Sequence, residues 1–379
     1  MHASRQPVDT PIALFVDGTL FLEDLLAEIR GATRSVTVTN YIFRAGRMSN
    51  DVLDALAERA AAGVEVRLLL DARGTSKIDD ERVEAVRAAG GRVATFRPFA
   101  FKTILRYHKR THARAIMVDG EVGYTGGLAF DDGWLGDGST PDQWRDVMFK
   151  LGGEMARATQ DQFNGLWRQT DGEILSGPAF YPTAVDEPAA TVEPAPSSWF
   201  LALFHTPSPD LAADLQDLIW LSIAGATSHI LVATPYYTPD ADIREALMAA
   251  ARRGVQVELL MPGPHTDAKP IQAAARAHYA SLLESGIRIF EYQPGRFHEK
   301  TFTVDGRWSV VGSANMDNRS ATLNVENVFA IEDRALAAAL EGEFAFSKGR
   351  SVEVTVESWD PNPLERLYHN AARLFAKQY

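Results

Sequence analysis

The chain reads as an α/β protein of two similar lobes. Each lobe is a mixed sheet flanked by helices, and a pseudo-twofold axis places the active site at the lobe interface. Three observations carry this reading. A histidine, a cation two residues on and an Asp-Gly pair occur once in each half: His112-Ala-Arg114 to Asp119-Gly120, and His298-Glu-Lys300 to Asp305-Gly306. The strand and helix signals ahead of each copy come in the same order. A proline-rich stretch separates the halves, and 379 residues suit two domains of ordinary size.

In the first half, Gly31-Ala-Thr33 leads into the alternating run SVTVTNYIF, a strand pattern. The Ala-rich helical pattern LDALAERAAAG follows and stops at Gly63, since glycine just past the last turn is a common helix terminator. VEVRLLLD (64–71) and, after a further helix, GGRVATFRP complete the unit before the motif strand. The second half repeats it: Gly225-Ala-Thr227, HILVATPYY, REALMAAARRG to Gly254, VQVELLMP (255–262) and GIRIFEYQP. Strands alternating with helices at this spacing imply a mixed sheet in each half. Segment 176–198 holds Pro178, Pro182, Pro188, Pro194 and Pro196 with few bulky apolar residues. It reads as a semi-extended connector between lobes at 1–175 and 199–379. From Pro363, Leu364, Leu367, Tyr368, Ala371, Leu374 and Phe375 recur at helical spacing, with Arg366, Arg373 and Lys377 between them. This amphipathic terminal helix suits docking on the core or lying in a membrane interface.

The motif chemistry follows from strand periodicity. Ala115-Ile-Met-Val118 and Thr301-Phe-Thr-Val304 read as strands, and positions i and i+2 share a face. His112 therefore lies beside Arg114, and His298 beside Lys300. Asp-Gly closes each strand with a turn. Two such faces give two imidazoles and two cations around one space, a set suited to phosphoryl or phosphatidyl transfer. One imidazole attacks phosphorus, the other moves the proton, and the cations neutralise the non-bridging oxygens. That chemistry calls for no metal and no cofactor. A single His-x-Lys on a strand is most often a surface pair. Two copies, each followed by a Gly-rich turn (Gly126-Gly127, Gly312-Ser313), point to a built site.

The stretch HEKTFTVDGRWSVVGSANMDNRSATLNVE, from His298 to Glu326, resembles the second HxKxxxxD motif of the phospholipase D superfamily. More narrowly, it is similar to bacterial cardiolipin synthases. RTHARAIMVDGEVGYTGG, DDGWLGD, PDQWRD, ATPYYTPD and YQPGRFHEK read like the same family, so the resemblance covers nearly the whole chain. It implies two phospholipase D-like lobes, with His112, Arg114, Asp119, His298, Lys300 and Asp305 as catalytic residues. It also implies Ser313 and Asn315 as phosphate-binding residues, His112 as nucleophile and His298 as acid and base. Asp146 and Glu326 match the family's histidine-orienting carboxylates. Each follows a motif histidine at a similar spacing, so each is expected to serve the ring upstream of it. Arg114 departs from the usual lysine, and Ala129 stands where many relatives place a polar residue like Asn315.

The implied activity is phosphatidyl transfer on phosphatidylglycerol-type phospholipids through a covalent phosphohistidine. Water as acceptor would make the chain a phospholipase D-type hydrolase releasing phosphatidic acid. A nuclease of the same superfamily is the remoter alternative, because 50 acidic against 38 basic residues give a net charge of −12. A degenerate scaffold is opposed by the presence of both histidines. With no cysteine, disulfides and thiolate metal sites are excluded. The first residues show no secretory signal, and no apolar run is long enough to span a bilayer. Many cardiolipin synthases carry N-terminal membrane helices. Here the expectation is a cytoplasmic protein lacking transmembrane helices and peripherally associated with the inner face of the cell membrane, its partner a phospholipid with an anionic headgroup. Lys102, Arg106, Lys109, Arg110 and Arg114 form an acid-free run ending around His112, read as a positive approach for that headgroup.

Overall fold

The structure is a computed structural model describing residues 6–8, 10–99, 109–182, 198–205 and 212–375. In chain order the first part comprises β1 (Gln6–Pro7), β2 (Ala13–Phe15), α1 (Gly18–Gly31), β3 (Ser35–Asn40), α2 (Arg47–Ala61), β4 (Glu65–Asp71) and α3 (Asp80–Ala88). It continues with β5 (Arg92–Phe96), β6 (Ala115–Val118), β7 (Val122–Gly126), β8 (Trp144–Arg145), β9 (Met148–Leu151) and α4 (Gly153–Thr170). The second part runs through β10 (Trp199–His205), α5 (Ala212–Ala224), β11 (His229–Ala233), β12 (Tyr237–Thr238), α6 (Ala241–Arg252), β13 (Gln256–Pro262), α7 (Lys269–Arg276), α8 (Tyr279–Glu284) and β14 (Arg288–Tyr292). It ends with β15 (Arg296–Phe297), β16 (Thr301–Val304), β17 (Trp308–Gly312), β18 (Met316–Asp317), α9 (Asn318–Thr322), β19 (Glu326–Glu332), α10 (Arg334–Lys348), β20 (Ser351–Val354) and α11 (Pro363–Phe375).

The two large sheets share one core order. The first runs β2-β9-β7-β6-β3-β4-β5, and the second β1-β10-β19-β17-β16-β11-β13-β14-β20. In both, three parallel strands (β3-β4-β5, β11-β13-β14) meet three antiparallel ones (β6-β7-β9, β16-β17-β19). Gln6–Pro7 pair with β10, so the first described residues join the second lobe's sheet. Of the proline-rich connector, 183–197 lies outside the described residues.

Local chemistry places the motif strands. Asp17, Asp79, Asp240 and Asp333 cap helices by accepting backbone N–H groups of the first turn. The Asp-Gly pairs close the β6–β7 and β16–β17 hairpins, with Asp119 at φ 55°, Gly120 at 69°, Asp305 at 55° and Gly306 at 64°. Two consecutive left-handed residues are what a type I′ turn requires. Val147, Phe149, Phe329, Ile331 and Val311 form an apolar cluster from strands of both lobes, so the halves share a core. The lobes also exchange strand pairing. β8 pairs with β15 in parallel, and Thr111 bridges Val325. Among the described residues, no helix is long and apolar enough to cross a membrane.

Candidate active site

The two strand exchanges fix the two histidines. The His112 N–H donates to the Val325 carbonyl at 2.9 Å, and the His298 N–H donates to the Arg145 carbonyl at 2.8 Å. Val325 and Arg145 immediately precede the two carboxylates, so each acid is delivered to the histidine of the other lobe. His112 Nδ1 lies 3.1 and 3.0 Å from the two oxygens of Glu326. His298 Nδ1 lies 2.5 Å from Asp146 Oδ2. The two carboxylates in contact with the rings are the two singled out in the sequence, but the pairing is crossed. The carboxylate downstream of each motif serves the opposite ring, because the pseudo-twofold axis brings the end of one lobe's motif region beside the start of the other's.

The cations are arranged alike. Arg114 Nη1 donates to the His112 carbonyl at 2.6 Å, and Lys300 Nζ donates to the His298 carbonyl at 2.5 Å. Lys300 Nζ also lies 2.7 Å from His298 Nδ1 and 3.7 Å from Asp146. Arg114 is fully buried, with Nε and Nη2 lacking a hydrogen-bond partner among the described residues. Asn327 clamps its backbone, accepting from the Arg114 N–H at 3.3 Å and donating to its carbonyl at 2.6 Å.

Burial dominates the electrostatics. It lowers the His112 imidazole to about 4, with Arg114 adding to the effect and Glu326 opposing it. Burial likewise lowers His298 to about 3, with Lys300 adding and Asp146 opposing. It brings the Lys300 ammonium down to about 7 against the favourable charge of Asp146. Burial also raises Asp146 and Glu326, but the neighbouring cations, imidazoles and hydroxyls outweigh it and hold both carboxyls below the usual range. Arg114 acts on His298, and Lys300 acts on His112, so the two motifs form one electrostatic site. The surroundings thus favour the neutral form of both imidazoles and the ionised form of both carboxyls.

The walls of the two half-sites differ. Glu326 accepts from Ser313 Oγ at 2.5 Å, Ser320 Oγ at 2.9 Å and Asn324 Nδ2 at 3.3 Å. Asp146 accepts from Trp134 Nε1 at 3.2 Å. His298 stands edge-on to Trp134, Trp144 and Tyr236, with ring centroids 5.6, 5.1 and 6.0 Å away. His112 meets Tyr41 at 5.4 Å. Sequence reasoning missed these aromatic residues together with Ser320, Asn324 and Asn327. The tryptophans in DDGWLGD and PDQWRD were the available signal.

Four expectations change. Asp119 and Asp305 are not brought to the site. Each carboxylate sits past its strand and accepts the N–H groups leading into the neighbouring strand of the same sheet, from Thr33, Arg34 and Ser35 before β3 in one case and Thr227, Ser228 and His229 before β11 in the other. They anchor turns. Ser313 is committed to Glu326 and also accepts the Asn327 N–H at 3.0 Å, so it positions the carboxylate. Asn315 does reach the site region, buried beside Lys300 with Oδ1 unpartnered among the described residues. Arg110 is no surface cation; it is buried against Asp71 at 3.4 Å and donates to the Lys109 carbonyl. Lys102 and Arg106 lie outside the described residues.

Comparison with known proteins gives the family and the fold. A family model described as "Cardiolipin synthase, PLD-like domain" matches residues 25–167 and 220–346. The chain is 30% identical over 381 aligned positions to the probable cardiolipin synthase YwiE of Bacillus subtilis (strain 168), covering 99% of this chain and 74% of that protein. It is 34% identical to the cardiolipin synthase of Geobacillus kaustophilus (strain HTA426), over 83% of this chain and 61% of the relative. Among solved structures, the phosphatidylserine synthase of Haemophilus influenzae Rd KW20 superposes with a TM-score of 0.76 at 14% identity, covering 100% of this chain and 98% of that one. That likeness establishes the shared fold.

Proposed function

The chain belongs to the cardiolipin synthase family with a phospholipase D-like domain, and we propose that it transfers a phosphatidyl group between phospholipid hydroxyls through His112. The observation that carries this is the crossed pair of histidine–carboxylate contacts around Arg114 and Lys300. With its Nδ1–H donated to Glu326, His112 presents the Nε2 lone pair for attack on phosphorus. The N–P bond forms as the bond from phosphorus to the leaving glycerol oxygen breaks. His298 gives that oxygen its proton. An anionic phosphodiester together with Asp146 favours the protonated His298 that this step needs. The acceptor glycerol hydroxyl then returns a proton to His298 while its oxygen displaces His112 Nε2. The free Arg114 Nε and Nη2 groups and Lys300 are suited to hold the non-bridging oxygens, to which Asn315 can donate only through Nδ2. Asp119 and Asp305 take no part in this scheme.

The donor we assign is a phosphatidylglycerol-type lipid at a membrane surface, and the box of Trp134, Trp144 and Tyr236 excludes water in favour of a lipid hydroxyl. The experiment is incubation with phosphatidylglycerol vesicles, with and without added glycerol, and identification of products by mass spectrometry. A dimeric phospholipid that diminishes when glycerol competes supports transfer, whereas phosphatidic acid as the sole product makes the chain a hydrolase. His112→Ala and His298→Ala are each expected to lose several orders of magnitude in turnover. Near-normal activity in His298→Ala would refute the two-histidine scheme.

A further inference from the structure

We propose that a crevice beneath α5 binds one acyl chain of the phospholipid whose phosphate lies at Lys300 and Asn315, an assignment resting on the phosphatidyltransferase reading. The crevice is a narrow cavity of about 60 Å³, wide enough at rest for only the first methylenes of a chain, and lies between α5 and the second sheet. Leu215 and Ile219 cover it, and Phe302, Val310 and Val328 form its floor. Lys300, Asn315, Thr234 and Thr301 are the polar residues of its lining. Lys300 and Phe302 are two residues apart on one strand path, so the cation and the apolar floor share a face. A second narrow cavity of about 40 Å³ shares Leu215, Ile219, Asn315 and Met316 and is also lined by Ala321 of α9. A path therefore runs from the phosphate-binding groups under the helix.

The first lobe shows that this space is specific to the second. Strand register equates Tyr124, which faces Ile116, with Val310, which faces Phe302. It likewise equates Met148, opposite Gly126, with Val328, opposite Gly312. Counting back from Gly31-Ala-Thr33 and Gly225-Ala-Thr227 equates Phe21 with Leu215. At each of these three positions the first lobe carries the larger side chain. Its Phe21 and Tyr124 are fully buried in edge contact at 5.8 Å, closing the space. Phe302 for Ile116 is a change in the opposite direction, and it extends the apolar floor. Ligand sites of this kind pair an apolar lining with a few placed polar groups. The ammonium of Lys300 and the amide Nδ2 of the buried Asn315 are donors to the phosphate, and the unpartnered Asn315 Oδ1 is left to accept from a headgroup hydroxyl.

The test transplants the first lobe's side chains. Leu215→Phe and Val328→Met are expected to lower kcat/KM for long-chain phosphatidylglycerol roughly tenfold or more, the loss when about two methylenes lose their burial. Turnover of the water-soluble diester bis(p-nitrophenyl) phosphate should be unaffected. The wild-type protein gives a check that needs no variant. For phosphatidylglycerols assayed as monomers below their critical micelle concentration, kcat/KM should rise with acyl length and then level off once the crevice is filled. Chain-length independence, a parallel loss of both activities, or variants that only gain thermal stability would each overturn the assignment. A wild-type protein inactive on both the lipid and the soluble diester would instead remove the phosphatidyltransferase reading.

Discussion

The His112–Glu326 pair is surrounded by hydroxyls and amides, whereas the His298–Asp146 pair is surrounded by aromatic rings. Glu326 sits in a cradle of Ser313, Ser320 and Asn324, and its two oxygens are nearly equidistant from His112 Nδ1. Asp146 makes one short contact to His298 Nδ1, is braced by Trp134, and has Lys300 nearby. The first arrangement fixes a tautomer and leaves Nε2 as a lone pair. The second places a strong anion against a ring in a dry, low-dielectric pocket, where proton affinity responds sharply to an arriving charge. A duplicated sequence has thus produced unequal half-sites, and the inequality suits the division between nucleophile and proton carrier proposed above.

The largest expected effect tests that division. Glu326→Gln and Asp146→Asn should each lower turnover of a lipid substrate on the order of 10²- to 10⁴-fold, as loss of an orienting carboxylate does in hydrolytic triads. Their responses should separate with an activated leaving group such as p-nitrophenolate, which departs without a proton. Asp146→Asn should then recover most of its rate and Glu326→Gln should not. Equal recovery, measured as the first-turnover burst of leaving group on paired diesters, would make the half-sites interchangeable.

A smaller effect distinguishes the cations. Lys300 is brought down to about 7 by burial, so its charge is present below that pH and is lost as pH rises through it. The free-enzyme profile of kcat/KM should therefore fall on the alkaline side from about pH 7, while the acid limb lies near the lowered His112 value of about 4. Arg114 keeps its proton across this range. Lys300→Arg should remove the alkaline limb at some cost in absolute rate. Persistence of the same limb in that variant would assign it to another group.

How far the sequence reached follows from what linear spacing encodes. Strand alternation put each histidine beside its cation, and the Asp-Gly pairs announced the hairpin turns, so both motif strands were legible. The crossed carboxylates were not, because distance along the chain carries no information about which lobe a segment faces. The motif spacing also suggested that Asp119 and Asp305 act with the histidines. At about 3.3 Å per residue, seven residues of extended chain carry a side chain roughly 20 Å away. The same limit hid the aromatic box, whose members come from three separate segments. The basic run looked exposed because charge alone does not reveal a buried ion pair such as Arg110 with Asp71.

The comparison extends to how each lobe ends. The first closes with α4, whose Phe163, Leu166 and Trp167 are buried. The second adds α11 beyond its sheet, and the apolar stripe there does not dock. Leu364, Leu367 and Leu374 are 78, 67 and 75% exposed, while Ala372 and His369 make the contact with the protein. The helix lies against α7, which follows the loop carrying Asp267, the acceptor of the Tyr236 hydroxyl beside His298. A leucine stripe flanked by Arg366 and Arg373 near the catalytic opening suits the headgroup–acyl boundary of an anionic bilayer. Replacing Leu364, Leu367 and Leu374 with serine should weaken co-sedimentation with phosphatidylglycerol vesicles and leave turnover of a soluble diester unchanged, the smallest effect on chemistry among these tests. Raising salt from 0.1 to 1 M shortens the Debye length from about 10 to about 3 Å, so the charge-driven share of binding should drop while the leucine-driven share persists. Unaltered vesicle binding by the serine variant would place the membrane contact elsewhere, and a change in oligomeric state instead would make the stripe a surface between two copies of this chain.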